Sequence, residues 1–485
     1  MTSTPMLSRR RFLGASGMAL AGAVLPARWS TAASGETASD GFRVLRARTG
    51  EVKLRGPDQA ATAIWGYDGN VPGPLLRVKR GEEVKVRLIN ELSEPTAIHW
   101  HGLRLPNAMD GVPHLTQEPV APGKSFDYRF VAPDAGTFWY HTHFRSSGQL
   151  GRGLYGALIV DEPEPATVDQ DLLLVLDDWR LTETGAIHES FGNAHDAAHA
   201  GRLGQYLTVN SRDTWDIPVR TNERLRLRLI NAANARVMRL RLDGHRAKVI
   251  AIDGQPSELF DARDSRVILG PGARLDLLVD ATLEAGAKAP FVLEYGRSEE
   301  LLFARLAYAE GEPARPTPLG EPKPLPANPL PERMDLAGAF RLDAPLDGGA
   351  MSAAMMGGMM GGGTDPAPAE GGINPGEGKF WALAGRSSTG HDGPPLFQVK
   401  RGRTVVLNFP NRTAFPHAMH VHGHHFRLLD RLDDGWKPYW LDTVLVEPRQ
   451  GARIAFVADN PGKWLIHCHM IEHMETGMTA WFEVT

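Results

Sequence analysis

The chain has 485 residues, 42% of them hydrophobic and 23% charged, with a formal net charge of −4 and a single cysteine. That length exceeds what one hydrophobic core fills, so about three domains of ~100–200 residues are expected. The near-neutral balance carries no basic footprint for nucleic acid, and one cysteine excludes an internal disulfide framework.

At the N-terminus, Ser8-Arg9-Arg10-Arg11-Phe12-Leu13 precedes a mildly apolar run from Gly14 to Ala27, and Thr31-Ala32-Ala33 offers a small-residue cleavage site. Residues 1–35 therefore read as a twin-arginine signal peptide and cleavage region. The run is too short and too rich in Gly and Ala for an anchor, which needs ~20 apolar residues. The expectation is an exported, periplasmic or secreted protein with no membrane anchor.

A repeated unit follows. Its first copy, Gly81–Asn90, alternates apolar and polar residues with period two and reads as a half-buried strand. Nine and eleven residues beyond Asn90 stand His99 and His101. Met109-Asp110-Gly111-Val112-Pro113 comes next and reads as a turn, ahead of the strand Phe138-Trp139-Tyr140-His141-Thr142-His143. The second copy, Asn222–Asn231, has Leu240 and Leu242 where the first has its histidines. His188, His195 and His199, in a polar Ala/Gly/His stretch of this middle unit, read as solvated loop or helix residues.

Between Asp347 and Gly372 the composition shifts to Met, Gly, Ala and Pro, with Met351, Met355, Met356, Met359 and Met360 among glycines. The third copy is displaced by 39 residues relative to the first spacing, about the length of this insert and its flanks. Such sequence cannot build a core; it reads either as a linker or as a set of soft thioethers suited to cuprous ion. The third copy, Gly402–Asn411, is more apolar and reads as more buried. Beyond it come His417, His420 and His422, then His424 and His425, which read as residues that support the ligands from behind or pack around them and are not ligands themselves. The run Trp464-Leu465-Ile466-His467-Cys468-His469 matches the Phe138 strand with Cys468 in place of Thr142, and His473 and Met478 follow. The expected domains are 36–163, 164–313 and 314–485, with the insert at 347–372.

The 18 histidines of this chain would by chance give about one His-x-His pair, yet five occur. Four of them sit at matched positions in the outer units: His99/His101, His141/His143, His420/His422 and His467/His469. On a strand the members of each pair share a face, so eight imidazoles converge if the outer units meet, enough for three metal ions. The middle unit is then a spacer. Cys468 points opposite to His467 and His469, so one strand touches two centres. Cysteine, two histidines and a weak axial methionine make a blue-copper site, which gives Cys468, His473, Met478 and one further histidine.

With these residues the chain resembles the three-domain multicopper oxidases of the laccase and periplasmic cuprous oxidase group. The resemblance covers nearly all of the chain after the signal. It rests on His99-Trp100-His101-Gly102, His141-Thr142-His143, His417-Ala418-Met419-His420-Val421-His422, and His467-Cys468-His469 with His473 and Met478. It implies an all-β chain of three cupredoxin-like Greek-key β-sandwich domains holding four copper ions. It assigns the type 1 copper to His417, Cys468, His473 and Met478, and the type 2 copper to His99 and His420. One type 3 copper goes to His101, His141 and His469, the other to His143, His422 and His467. The implied reaction takes single electrons from phenols, aromatic amines or cuprous ion through Cys468 and reduces dioxygen to water, in a monomer. Asp110 matches by spacing the family acid that moves protons, whereas Met474 stands where some relatives carry a further carboxylate. A dedicated cuprous oxidase of copper tolerance is the nearer alternative and a non-catalytic copper-binding or scaffold protein the farther one. The latter would lack ligands, and a copper nitrite reductase would lack the four matched pairs.

Overall fold

A computed structural model describes residues 36–485 apart from 297, 351–371, 389, 391, 392 and 431–433. The signal peptide expected at 1–35 and the methionines of the insert lie outside the described residues.

Three cupredoxin-like β-sandwiches follow one another. The first packs the sheet Thr62–Tyr67, Arg43–Val52, Glu83–Asn90, Ser125–Val131 on the sheet Gly73–Lys79, Tyr155–Asp161, Gly136–His141, His99–His101. The second sets six strands against five, and the third five against five. In all three, the repeat strand has the same neighbours: Glu83–Asn90, Arg224–Asn231 and Arg403–Pro410 each pair in parallel with the unit's opening strand and antiparallel with a later one.

The asparagine that closes each repeat explains why the copies superimpose. Asn90, Asn231 and Asn411 are buried, and each Oδ1 accepts from the backbone N–H two residues on, at 3.0, 3.1 and 2.9 Å. Each Nδ2 donates to a carbonyl four or five residues ahead and to another far along the chain, Val120, Leu269 and Val446 respectively. One amide thus fixes the loop that feeds the next strand. That strand carries His99 and His101 in the first unit, Leu240 and Leu242 in the second, His420 in the third. In the second unit those leucines pair with Leu293 and Phe291 and belong to its core.

The repeat strands differ in what they bury. Glu83–Asn90 alternates buried and partly buried residues, as its period-two pattern predicts, and Arg403–Pro410 is more buried. Arg224–Asn231 has the same alternation but is buried throughout. Its arginines face ion-pair partners instead of water: Arg226 reaches Asp276 and Glu162, Arg228 reaches Asp171, and Arg224 reaches Asp280. Period two signals two chemically different faces; it does not say that the polar one is wet. The cores of the first and third units merge into one cluster that runs from Leu45 and Trp100 to Trp464 and Phe482, which holds the outer units together.

Asn411→Ala should remove the bonds to the Phe415, Val446 and Glu447 carbonyls and to the Thr413 N–H, and cost about 2–3 kcal/mol. The urea midpoint of the copper-free protein would show it, while Asn408→Ala, whose amide bonds to Asp343 at the surface, should shift it by less than about 0.5 kcal/mol. Equal shifts would contradict this role for the closing asparagine.

Candidate metal centres

Within each outer unit, strand register brings the two histidine motifs together: His99 lies opposite His141, and His420 opposite His467. Between units, the ring of His99 stacks on His422 with centroids 4.0 Å apart, and His101 stacks on His420 at 3.8 Å. His143 meets His467 and His422 edge-on at 5.2 Å, and His469 sits 4.9 Å from His101 and 5.3 Å from His141. All eight are buried. Their nitrogens form triads within 4.8 Å, among them His99 with His420 and His422, His99 with His101 and His141, and His143 with His422 and His467.

The hydrogen bonds fix which nitrogen faces inward. His99, His141, His420 and His467 donate from Nδ1 to the carbonyls of Asp110, Thr142, Asp442 and Cys468 at 2.8–2.9 Å, and His422 donates from Nδ1 to Asp110 Oδ2 at 2.9 Å. Their Nε2 atoms then carry lone pairs. Among the described residues, those of His99, His141, His143 and His420 find no protein partner, nor do Nδ1 of His101 and both nitrogens of His469. Nε2 of His422 and Nε2 of His467, both lone-pair atoms, face each other at 3.1 Å. Neutral protein groups leave such pairs repelling; a cation between them satisfies both. Burial, reinforced by the neighbouring imidazoles, holds His101, His141, His143, His422, His467 and His469 well below the ordinary histidine value, so at neutral pH they are neutral and could offer lone pairs to a metal ion.

The second centre follows the same rule with the nitrogens exchanged. His417 donates from Nε2 to Thr413 Oγ1 and His473 donates from Nε2 to the His199 carbonyl, both at 2.8 Å. Their Nδ1 atoms point at each other across 3.1 Å, with Cys468 Sγ 3.6 and 3.8 Å away. Burial pushes the Cys468 thiol up to about 12, so a thiolate here requires a cation to stabilise it. Met478 is buried, and its carbonyl and N–H bond to the backbone of Cys468 and His473 respectively. The lone-pair atoms, the softness of the sulfur and the secured outer nitrogens all fit copper.

Asp110 is buried between the outer units. Its carbonyl binds His99, and its carboxylate binds His422 and lies 3.3 Å from His99 Nδ1. Met474 and Glu475 line a cavity of about 310 Å³ that reaches His143. His424 packs on Phe456, Trp464 and Phe482. His195 is exposed as expected, but the backbone of His199 touches His473, which composition could not signal.

Sequence reasoning also missed the contribution of the middle unit. It supplies none of the eight imidazoles, yet its turn Gly270–Arg274 presses on them. A Cβ at Gly272 would lie 2.8 Å from His469 and 3.0 Å from His101, and its φ of +83° also favours glycine. Gly102, at φ +86°, likewise leaves room for Arg274 and Asp442, which its Cβ would strike. Arg274 grips both oxygens of Asp442 at 2.8 and 2.5 Å, and Asp442 lies 3.2 Å from His101 Nε2. Burial opposes ionisation of Asp442, but Arg274 outweighs it and holds the carboxyl well below the usual carboxylate range. Asp253 closes the network through the N–H groups of Asp442 and Thr443. In sequence, Asp253-Gly254 and Pro271-Gly272 look like ordinary turns, and Asp442 stands in no motif.

Residues 49–165, 171–292 and 367–485 match three family models, each described as multicopper oxidase. The chain is 31% identical to a protein of Mycobacterium tuberculosis named multicopper oxidase MmcO, over 98% of this chain and 96% of that one. It is 28% identical to laccase-1 of Botryotinia fuckeliana, over 88% and 79%. The crystal structure of a multi-copper oxidase from Pseudomonas thermotolerans aligns with a TM-score of 0.78 at 36% identity, over 93% of this chain and 100% of that one.

Two outcomes are expected. Histidines held below their unfolded value bind fewer protons when folded, so stability is full above that value and falls as pH drops from about 6.5 towards about 4, the value of His473. Each such group contributes up to about 1.4 kcal/mol per pH unit. Urea midpoints of copper-free protein across that range would show the fall, and a flat profile would contradict it. Arg274→Met should leave Asp442 and Asp253 buried without a counter-charge and cost about 3–5 kcal/mol in the same measurement; a loss under about 0.5 kcal/mol would contradict the network.

Proposed function

From the premise that this chain belongs to the multicopper oxidase family, we propose that it holds four copper ions, three among the eight imidazoles and one at Cys468. Its reaction is the family's: one-electron oxidation of a donor coupled to reduction of dioxygen to water. Copper supplies one-electron redox chemistry, and four such ions gather the four electrons that, with four protons, turn dioxygen into two waters.

The observation that carries this reading is the strand Gly462–Cys468 and the residue after it. Cys468 Sγ faces Nδ1 of His417 and His473, while the rings of His467 and His469 on either side face the imidazole cage. Two peptide bonds and the hydrogen bond from His467 Nδ1 to the Cys468 carbonyl join the centres. In this reading His417, Cys468, His473 and Met478 hold the type 1 ion, and His99 with His420 the type 2 ion. His101, His141 and His469 hold one type 3 ion, and His143, His422 and His467 the other. Asp110 steadies His99 and His422 and exchanges protons beside the cage. The cavity at His143 gives a small ligand access, and its wall of Val112, Leu465 and Met474 limits the water that follows.

The export-signal pattern of residues 1–35 supports a periplasmic or secreted protein, and membership of the family supports a monomer. Among the described residues no helix is long and apolar enough to cross a membrane.

Copper-reconstituted protein should be intensely blue and consume one dioxygen per four electrons without releasing hydrogen peroxide. Cys468→Ser should be colourless and inactive; a blue Cys468→Ser protein would overturn the type 1 assignment. Asp110→Asn keeps the shape but cannot carry a proton, so kcat should fall about 10²–10⁴-fold while the blue absorption persists. An unchanged kcat would remove Asp110 from proton handling.

A further inference from the structure

Nothing outside the protein can touch His473 directly. The ligand is wholly buried. Its outer nitrogen is taken by the His199 carbonyl at 2.8 Å, and the Trp381 indole lies against its ring at 4.1 Å. Trp381 in turn donates from Nε1 to the Ala197 carbonyl at 2.6 Å, which ties the indole to the same turn of chain. The cover is the one-turn helix Ala194–Ala198, whose start is secured by Asn193 Oδ1 accepting from the N–H groups of His195 and Asp196.

Two imidazoles stand at this cover: the exposed His195 in the helix and the half-buried His199, the residue that ends it. His199 lies four positions after His195 but outside the helix, at φ −119° and ψ −122°, where the chain turns back and lays one ring on the other. Their rings stack at 4.1 Å with planes only 14° apart. His199 donates from Nδ1 to the His195 carbonyl at 2.8 Å, so its Nε2 carries the lone pair. His195 is exposed and can rotate to turn a second lone pair onto the same ion. The ring of Phe415 stands edge-on to His199 at 5.8 Å and limits the ring on its inner side.

We propose that His195 and His199 form a surface site for cuprous ion as electron donor, feeding the centre at Cys468 through the His199 carbonyl. The proposal rests on the reading that His473 holds the type 1 ion, and it names the donor that this reading leaves open. Imidazole nitrogen suits copper. From the ring of His199 the route is its own Cβ, Cα and carbonyl, then one hydrogen bond to His473 Nε2. Each bound cuprous ion gives up one electron and leaves as cupric ion. Four such events, with four protons, reduce one dioxygen to two waters at the far centre. The middle unit then provides the donor's docking place, although it supplies none of the resident ligands. A bulky phenol meets the helix rather than the ligand, which favours a small inorganic donor.

The test uses the copper-loaded full chain and His195→Ala/His199→Ala, which keeps the backbone carbonyl at 199 and so the bond to His473. Silver(I), a closed-shell stand-in that gives no electron to the site, is titrated by calorimetry. The native enzyme should bind one silver ion that the variant binds at least about tenfold more weakly. Silver should compete with cuprous ion in oxygen uptake, and the ratio of kcat/KM for cuprous ion to that for a phenol should fall at least about tenfold in the variant. Both effects should occur with the blue absorption retained. Unchanged silver affinity, or an unchanged ratio in a blue variant, would overturn the site. A native chain that binds silver through these histidines yet never turns blue would instead overturn the copper assignment at His473.

Discussion

The structure depends on hydrogen bonds that point away from the metal sites. Every imidazole that faces the cage through Nε2 with a partnered Nδ1 has that Nδ1 held by an oxygen, and four of those five oxygens belong to the backbone. A backbone carbonyl cannot rotate or ionise, so it fixes ring and tautomer together. The strands supply these carbonyls, and the strands exist because of the sandwiches. Fold and site are therefore one construction: the amide of Asn90 or Asn411 sets the loop, the loop sets the register, and the register sets which nitrogen looks inward.

The result is a cluster of neutral lone pairs held against their mutual repulsion. Nε2 of His422 and His467 at 3.1 Å, and Nδ1 of His417 and His473 at the same separation, are tolerable only because two packed units and a shared apolar core hold them. A cation placed between them would relieve that conflict, and burial keeps protons from relieving it first. The middle unit takes part from outside. Its glycine turn leaves His101 and His469 no room to swing, and Arg274 keeps the Asp442 carboxylate aimed at His101.

Much of this was legible in the sequence, for identifiable reasons. Alternation of His467, Cys468 and His469 on a strand sets which faces the two centres occupy, and the repeat positions of His99 and His420 announce which units meet. Leu240 and Leu242 announce which unit has no ligands. What was not legible depends on contacts between distant segments. The buried polar face of Arg224–Asn231 has the same pattern as a solvated one, because its carboxylate partners come from other strands. Asp442, Arg274 and Gly272 lie in stretches that read as turns or plain strand, and only the packing of three units gives them a task. His199 acts through its carbonyl, an atom that every residue has.

The most direct measurement is diffraction from copper-soaked crystals at wavelengths on either side of the copper absorption edge. Three anomalous peaks should appear among His99, His101, His141, His143, His420, His422, His467 and His469, and a fourth between Nδ1 of His417, Nδ1 of His473 and Sγ of Cys468. An empty cage in crystals whose Cys468 site is filled would contradict the claim that the outer units jointly build a metal centre.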